Sequence, residues 1–178
     1  MYRLCPGGLI CALLIAAGPA GAGKAHEHGV MRLDVAIDGN KLLIDMQVPL
    51  DNLLGFERAP RTEAERKAAA EVLARLRNPG QGTPLFAADA AAQCTLSKAE
   101  VQAALLEPGA QAVPRSGHAD LEASYEFSCA RPQALRALDV GLFDAYRRVQ
   151  RIEVQLAGAK GQSKLTLKRP ARSVALVR

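Results

Sequence analysis

Met31-Arg32-Leu33-Asp34-Val35-Ala36-Ile37-Asp38-Gly39-Asn40-Lys41-Leu42-Leu43-Ile44-Asp45-Met46-Gln47-Val48 decides the fold. Met31, Leu33, Val35 and Ile37 alternate with Arg32 and Asp34, and after Asp38-Gly39-Asn40 the pattern resumes with Leu42, Ile44, Met46 and Val48 against Lys41, Asp45 and Gln47. Period two places one set of side chains on each face of a strand, and a Gly-Asn pair between two such runs is a hairpin turn. The stretch therefore predicts a β-hairpin with one buried face, ended by Pro49. Such one-sided alternation belongs to an antiparallel sheet with one face in water.

Downstream, the same signal recurs most clearly over His118–Cys129. Ala119, Leu121, Ala123, Tyr125, Phe127 and Cys129 share one face, and His118, Asp120, Glu122, Ser124, Glu126 and Ser128 share the other. Shorter alternations mark Cys94–Leu96, Val101–Leu105, Ile152–Leu156 and Leu165–Leu167, and Val174–Val177 is placed to close the sheet. Thr62-Glu63-Ala64-Glu65 is a capping box that opens a helix to about Arg77, stopped by Asn78-Pro79-Gly80. Pro132 followed by Leu135 and Leu138 predicts a short helix near 132–139. Leu53, Leu54 and Phe56, in the connection before the capping box, are expected to plug a sheet edge. Strands outnumber helices and fall in consecutive hairpins. The expected class is α+β, mainly antiparallel sheet, in one domain spanning residues 23–178.

The 22 residues before that domain read as an export signal. Arg3 precedes the apolar run Leu9–Ala17, which is too short for a membrane span, and Ala20-Gly21-Ala22 is a small-x-small cleavage site. A second site, Gly23-Lys24-Ala25, would begin the mature chain at His26. An α-amine followed by His28 at the third position would then form a square-planar nitrogen set suited to Cu(II) or Ni(II). Cleavage after Ala22, the better match, leaves His26 and His28 as side-chain ligands for tetrahedral zinc. The expected location is the periplasm, without stable membrane insertion after cleavage. Export also removes Cys5 and Cys11, leaving Cys94 and Cys129. An even pair in an oxidising compartment, one member inward-facing on its strand, predicts a disulfide.

The net charge of +5 comes without a Lys/Arg run or interleaved aromatics, so nucleic acid is not an expected partner. Arg147, Arg148 and Arg151 read as a solvated face. The chain has three histidines, His26, His28 and His118. Zinc takes four ligands from imidazole, carboxylate or thiolate. With the thiols bridged, the supply is the three histidines with Glu57, Asp120, Glu122 and Glu27. A three-His site requires the N-terminal strand to lie near the start of the 118–129 strand. Glu57 has an alternative in a salt bridge to Arg58 or Arg61, and His118 in a bond to Asp120. Ser116, His118 and Asp120 do not make a catalytic triad. Residues i, i+2 and i+4 on a strand are spaced about 7 Å apart, against the roughly 3 Å that a nucleophile and its base need. No nucleophile elbow or phosphate loop accompanies them, so no enzymatic activity is expected. A metal-free module docking onto an envelope or transporter partner is the other reading.

His26-Glu27-His28-Gly29, the run Pro49-Leu50-Asp51-Asn52-Leu53-Leu54-Gly55-Phe56-Glu57-Arg58-Ala59-Pro60-Arg61-Thr62, His118-Ala119-Asp120-Leu121 and Phe127-Ser128-Cys129 together resemble the ZrgA-like periplasmic zinc-binding family. Leu53-Leu54-Gly55-Phe56-Glu57 is the specific part, and the likeness extends to Gly161-Gln162. The resemblance implies a periplasmic protein that binds zinc and serves metal uptake with components of an ABC-type importer. With the donor chemistry above, the expected metal ligands are His26, His28, Glu57, His118 and Asp120. Two positions depart from the family. Arg58 stands where members often carry His, and 106–117 lacks the His-rich, acidic run that ZrgA-like members place before the His-Ala-Asp strand.

Overall fold

The computed structural model describes residues 27–107 and 119–176. The expected export signal with its two candidate cleavage sites, His26 and His118 lie outside them. The hairpin is present as expected: β1 (Val30–Asp38) pairs antiparallel with β2 (Lys41–Pro49), Asp38 opposite Lys41. Gly39 holds φ +58° at the first position of the two-residue turn, a conformation open to glycine without steric cost.

These strands are the middle of a six-stranded sheet. β4 (Cys94–Gln102) and β5 (Asp120–Cys129) lie beyond β2. On the other side of β1 lie β7 (Arg151–Gly158) and β8 (Gly161–Lys168), giving the order β4-β5-β2-β1-β7-β8. Four of the five pairings are antiparallel, and β1 with β7 is parallel, Val30 opposite Arg151. Cys94 and Cys129 face each other at the start of the β4–β5 ladder and form the expected disulfide. The two short runs expected over 94–105 merge into one strand that ends at Gln102, kinked by a bulge between Leu96 and Lys98, and Leu105 lies in the turn that follows.

One face of this sheet is dry. Met31, Leu33, Leu42, Ile44, Val48, Leu121 and Ile152 are fully buried there. The other face carries Asp34, Asp45, Glu122, Ser124 and Gln155 and faces solvent. The dry face is covered by a second layer. It comprises α2 (Glu63–Arg77) and a three-stranded sheet of β3 (Phe86–Ala88), β6 (Ala137–Val140) and β9 (Ser173–Ala175) in the order β3-β6-β9. Ala69, Leu73 and Leu76 of α2 and Leu138, Val140 and Val174 of the small sheet enter the common core. Phe86 and Tyr125, their ring centroids 5.0 Å apart, join the layers.

The helix expected near 132–139 is corrected. Only Pro132–Ala134 is helical, as a 3₁₀ turn, and Ala137–Val140 is strand β6. The Asp89 carboxylate accepts the N–H groups of Arg136 (2.6 Å) and Ala137 (2.7 Å), which breaks a helical course at that point. The same two bonds hold the Asp89 carboxyl below its usual range. Leu138 and Val140 then alternate inward. The closing strand near 174–177 belongs to this small sheet, pairing with β6. Leu53 and Leu54 belong to α1 (Leu50–Leu54), a single helical turn directly after β2, and pack against the core.

α2 starts as the capping box requires. Thr62 Oγ1 accepts from the Glu65 N–H at 3.1 Å, and the Glu65 carboxylate accepts from the N–H groups of Thr62 (3.2 Å) and Arg61 (2.6 Å). Arg58 adds two parallel bonds to Glu65, 2.9 and 2.7 Å, and its guanidinium lies over the Phe56 ring. The Arg58 bonds, reinforced by the backbone donors, bring the Glu65 carboxyl down to about 2. A folded-state value below the unfolded one means that the linked stability is fully present above about pH 4.5 and is lost as pH falls toward 2. A carboxyl-detected NMR titration should place Glu65 near 2, and in Arg58→Ala it should move up toward the ordinary carboxylate range. An unchanged midpoint in that variant would remove Arg58 as the cause.

Candidate functional site

The starts of β1, β5 and β7 and the end of β2 lie at one end of the large sheet. Val30 is opposite Arg151, and Pro49 is opposite Asp120. The proximity that a shared His site requires is thus met at backbone level, β1 and β5 lying two strand spacings apart, about 10 Å. His118 immediately precedes Ala119, whose carbonyl accepts the Leu50 N–H at 2.9 Å.

His28 sits in a turn just ahead of β1, not on the strand itself, and is two-thirds exposed. Val30 N–H closes that turn onto Glu27 carbonyl at 3.1 Å. The turn is fixed to α1 by Asn52, a buried polar side chain that the sequence reading passed over. Asn52 Oδ1 accepts the Gly29 N–H and Asn52 Nδ2 donates to the Val30 carbonyl, both at 2.7 Å. Asn52 is held in turn by α1, which begins where Pro49 can no longer extend the ladder.

The two imidazole nitrogens of His28 face two different carboxylates. Nε2 is 3.4 Å from Glu57 Oε1, and Nδ1 is 3.9 Å from Asp51 Oδ2. Asp51 also faces the Arg148 guanidinium, 3.8 Å from Oδ1. Gly55 makes room for that arginine. It ends α1 at φ +83°, donates its N–H to Asp51 carbonyl at 2.8 Å, and a Cβ there would stand 2.8 Å from Arg148 Nη2. Neither Asp51 nor Arg148 was expected here; Arg148 has a specific carboxylate partner where scattered basic residues suggested only a solvated face.

Other expected donors are elsewhere. Glu27 pairs with Arg151 at 2.7 Å, and Glu122 lies on the solvent face of β5. Glu57 is not engaged by Arg58, which is committed to Glu65. Asp120, half-buried, is at the start of β5 across from Pro49 and is not grouped with His28 and Glu57. Among the described residues, no group of three or more His, Cys, Asp or Glu side chains is placed to hold a metal ion.

The chemistry of the pair at the His28 turn nevertheless suits zinc. Imidazole nitrogen and carboxylate oxygen are both zinc donors, bound at about 2.0–2.2 Å, and two such ligands at a tetrahedral angle are about 3.3–3.5 Å apart. His28 Nε2 and Glu57 Oε1 have that separation. Asp51 on the opposite nitrogen has the position of the carboxylate that commonly orients a zinc-bound imidazole from behind.

No helix among the described residues is long and apolar enough to cross a membrane. No curated protein matches the chain. A family model does, described as ZrgA family zinc uptake protein, over residues 25–176. That span takes in the His28 turn, both sheets and the disulfide, and the chain belongs to the ZrgA family of zinc uptake proteins.

Proposed function

We propose that the protein works in the periplasm, binds one zinc ion per chain as cargo, and passes it to components of an ABC-type importer without catalysing a reaction. The observation that carries this reading is the 3.4 Å separation of His28 Nε2 and Glu57 Oε1, a ligand-to-ligand distance for tetrahedral zinc. His28 and Glu57 supply two donors. His26 and His118, the other two histidines, complete the set of four, with Asp120 the alternative carboxylate to Glu57. Asp51 lies on the Nδ1 side of His28, away from Nε2, and its other oxygen faces Arg148. Imidazole and carboxylate ligands without thiolate give a site whose occupancy falls on acidification, because the ligands bind in their deprotonated forms.

Competition against a chromophoric chelator, with metal analysis of the purified protein, tests this. We expect one zinc per chain, with at least about tenfold weaker binding in His28→Ala and in Glu57→Gln. Asp51→Asn should cost about tenfold, as loss of an orienting carboxylate does. Glu122→Gln, on the solvent face of β5, should bind as the parent does. Unchanged affinity in both His28→Ala and Glu57→Gln would dismiss this site. A protein that takes up no zinc would leave the metal-free docking module.

A further inference from the structure

The two edges of the large sheet are unlike. β4 is broken by its bulge, tied at Cys94 by the disulfide and packed against α2. β8 has none of these. It runs in unbroken register with β7, from Lys168 opposite Arg151 to Gly161 opposite Gly158. It has no proline, and among the described residues no strand lies beyond it. Among the described residues, no backbone group from Gln162 to Leu167 bonds outside the β7 ladder. A row of backbone donors and acceptors is therefore open along the edge, a template for one more strand.

The side chains select what can use it. From Ala157 to the end of the sequence there are six cationic residues and no Asp or Glu. Arg169 is turned onto the carbonyls of Phe143, Tyr146 and Val149, and Arg172 faces Asp144. Lys160, Lys164 and Lys168 have no ion-pair partner among the described residues. Lys164 and Lys168 are on the solvent side of β8, about 13 Å apart along the strand. On the opposite side, Leu165 is only half-buried. Like charges set opposite each other destabilise a strand pair and unlike charges stabilise it. A second copy of β8 would bring lysines against lysines, so the edge disfavours self-association. An extended segment with carboxylates four residues apart and apolar residues between them would satisfy the lysines, continue the ladder and cover Leu165.

We propose that β8 is a docking edge at which an extended acidic segment of another protein adds as a seventh strand. This goes beyond zinc binding and does not depend on it. Lys168 pairs with Arg151 and Arg151 with Val30, so the docked segment would begin at the same end of the sheet as the His28 turn.

The capped peptide Glu-Val-Thr-Val-Glu-Val-Thr serves as the probe, titrated into isotope-labelled exported chain and followed by backbone amide NMR. Saturable shifts and slowed exchange confined to 162–167 and their β7 neighbours are the expected result. Binding should weaken at least tenfold in the double variant Lys164→Glu, Lys168→Glu, and likewise for a peptide N-methylated on alternate amides. Equal binding of the N-methylated peptide would mean charge attraction without a ladder and would overturn the proposal, even if the double variant failed to fold. No binding at millimolar peptide, or shifts mapping elsewhere, would do the same. So would binding of the parent chain to phosphatidylglycerol vesicles with no response to the peptide, which would assign the lysines to a lipid surface.

Discussion

Gly141→Ala is expected to destabilise the protein by about 3 kcal/mol or more, the largest loss anticipated for any single methyl group added to the chain. Gly141 joins β6 to α3 (Leu142–Ala145) at φ −84°, a conformation any residue adopts. The constraint is space. A Cβ at this position would stand 2.2 Å from the Pro84 carbonyl oxygen and 3.3 Å from its carbon. Both are backbone atoms, and the Gly141 N–H is bonded to the Leu85 carbonyl at 2.9 Å, so the two segments cannot slide apart without breaking that bond. Relief would separate β3 from β6, where Phe86 pairs with Val140, and open the core around Leu85, Leu138 and Val140. Overpacking usually costs about 1–3 kcal/mol when side chains can yield, and a backbone contact yields least. Urea unfolding with an unchanged slope should report the loss as a lower midpoint. Gly80→Ala, where a Cβ meets nothing within 4 Å, should stay within about 1 kcal/mol of the parent. A Gly141→Ala protein within that same margin would show the junction to be far more compliant than its packing indicates.

Asn52→Ala should lower stability by about 3 kcal/mol and zinc affinity by about tenfold. The first number follows from two buried backbone groups, Gly29 N–H and Val30 C=O, that lose their side-chain partner together, at about 1–3 kcal/mol for each unsatisfied group. The second follows from position. Asn52 is what fixes the turn carrying His28 against α1, and α1 is followed by Gly55 and then Glu57. Loosening that tie lets Nε2 leave the 3.4 Å approach to Glu57 Oε1. Urea unfolding and chelator competition measure the two effects, and faster exchange of the Gly29 amide would locate the change. A variant that unfolds more readily yet binds zinc as tightly as the parent would make Asn52 a residue of the fold alone. A loss below about 1 kcal/mol would contradict the two-bond account.

Much of this architecture could be read from period-two patterning because most strands are half-buried: one face of β1, β2 and β5 is aliphatic and the other is charged. The disulfide was legible for the same reason, since counting along β5 turns Cys129 inward. Beyond the β1–β2 hairpin, pairing partners were not legible. Alternation says which face is dry and nothing about which strand lies alongside, so the parallel contact of β1 with β7 left no local trace. β6 was misread because Leu135 and Leu138 have helical spacing, while the group that ends the helix, Asp89, is 47 residues from Arg136. At the site, His28 and Glu57 stood out by residue type and by likeness to a family. Asp51, Asn52 and Arg148 act through distances that only the folded chain sets.

The parallel β1–β7 pair also bears on how the chain is made. β1 is the first strand to emerge and lies near the middle of the sheet, yet one of its two neighbours arrives about 120 residues later; Asp34 and Gln155, bonded side chain to side chain, are 121 positions apart. Until β7 has been synthesised, the β1–β2 hairpin has an open flank on the β1 side. Contacts of such long sequence separation are slow to form, because the loop between them must be closed before any of them is gained. The nascent chain is therefore held short of its native state until β7 has been made. The event that closes this flank is the arrival of Arg151–Gly158, about five-sixths of the way along the chain.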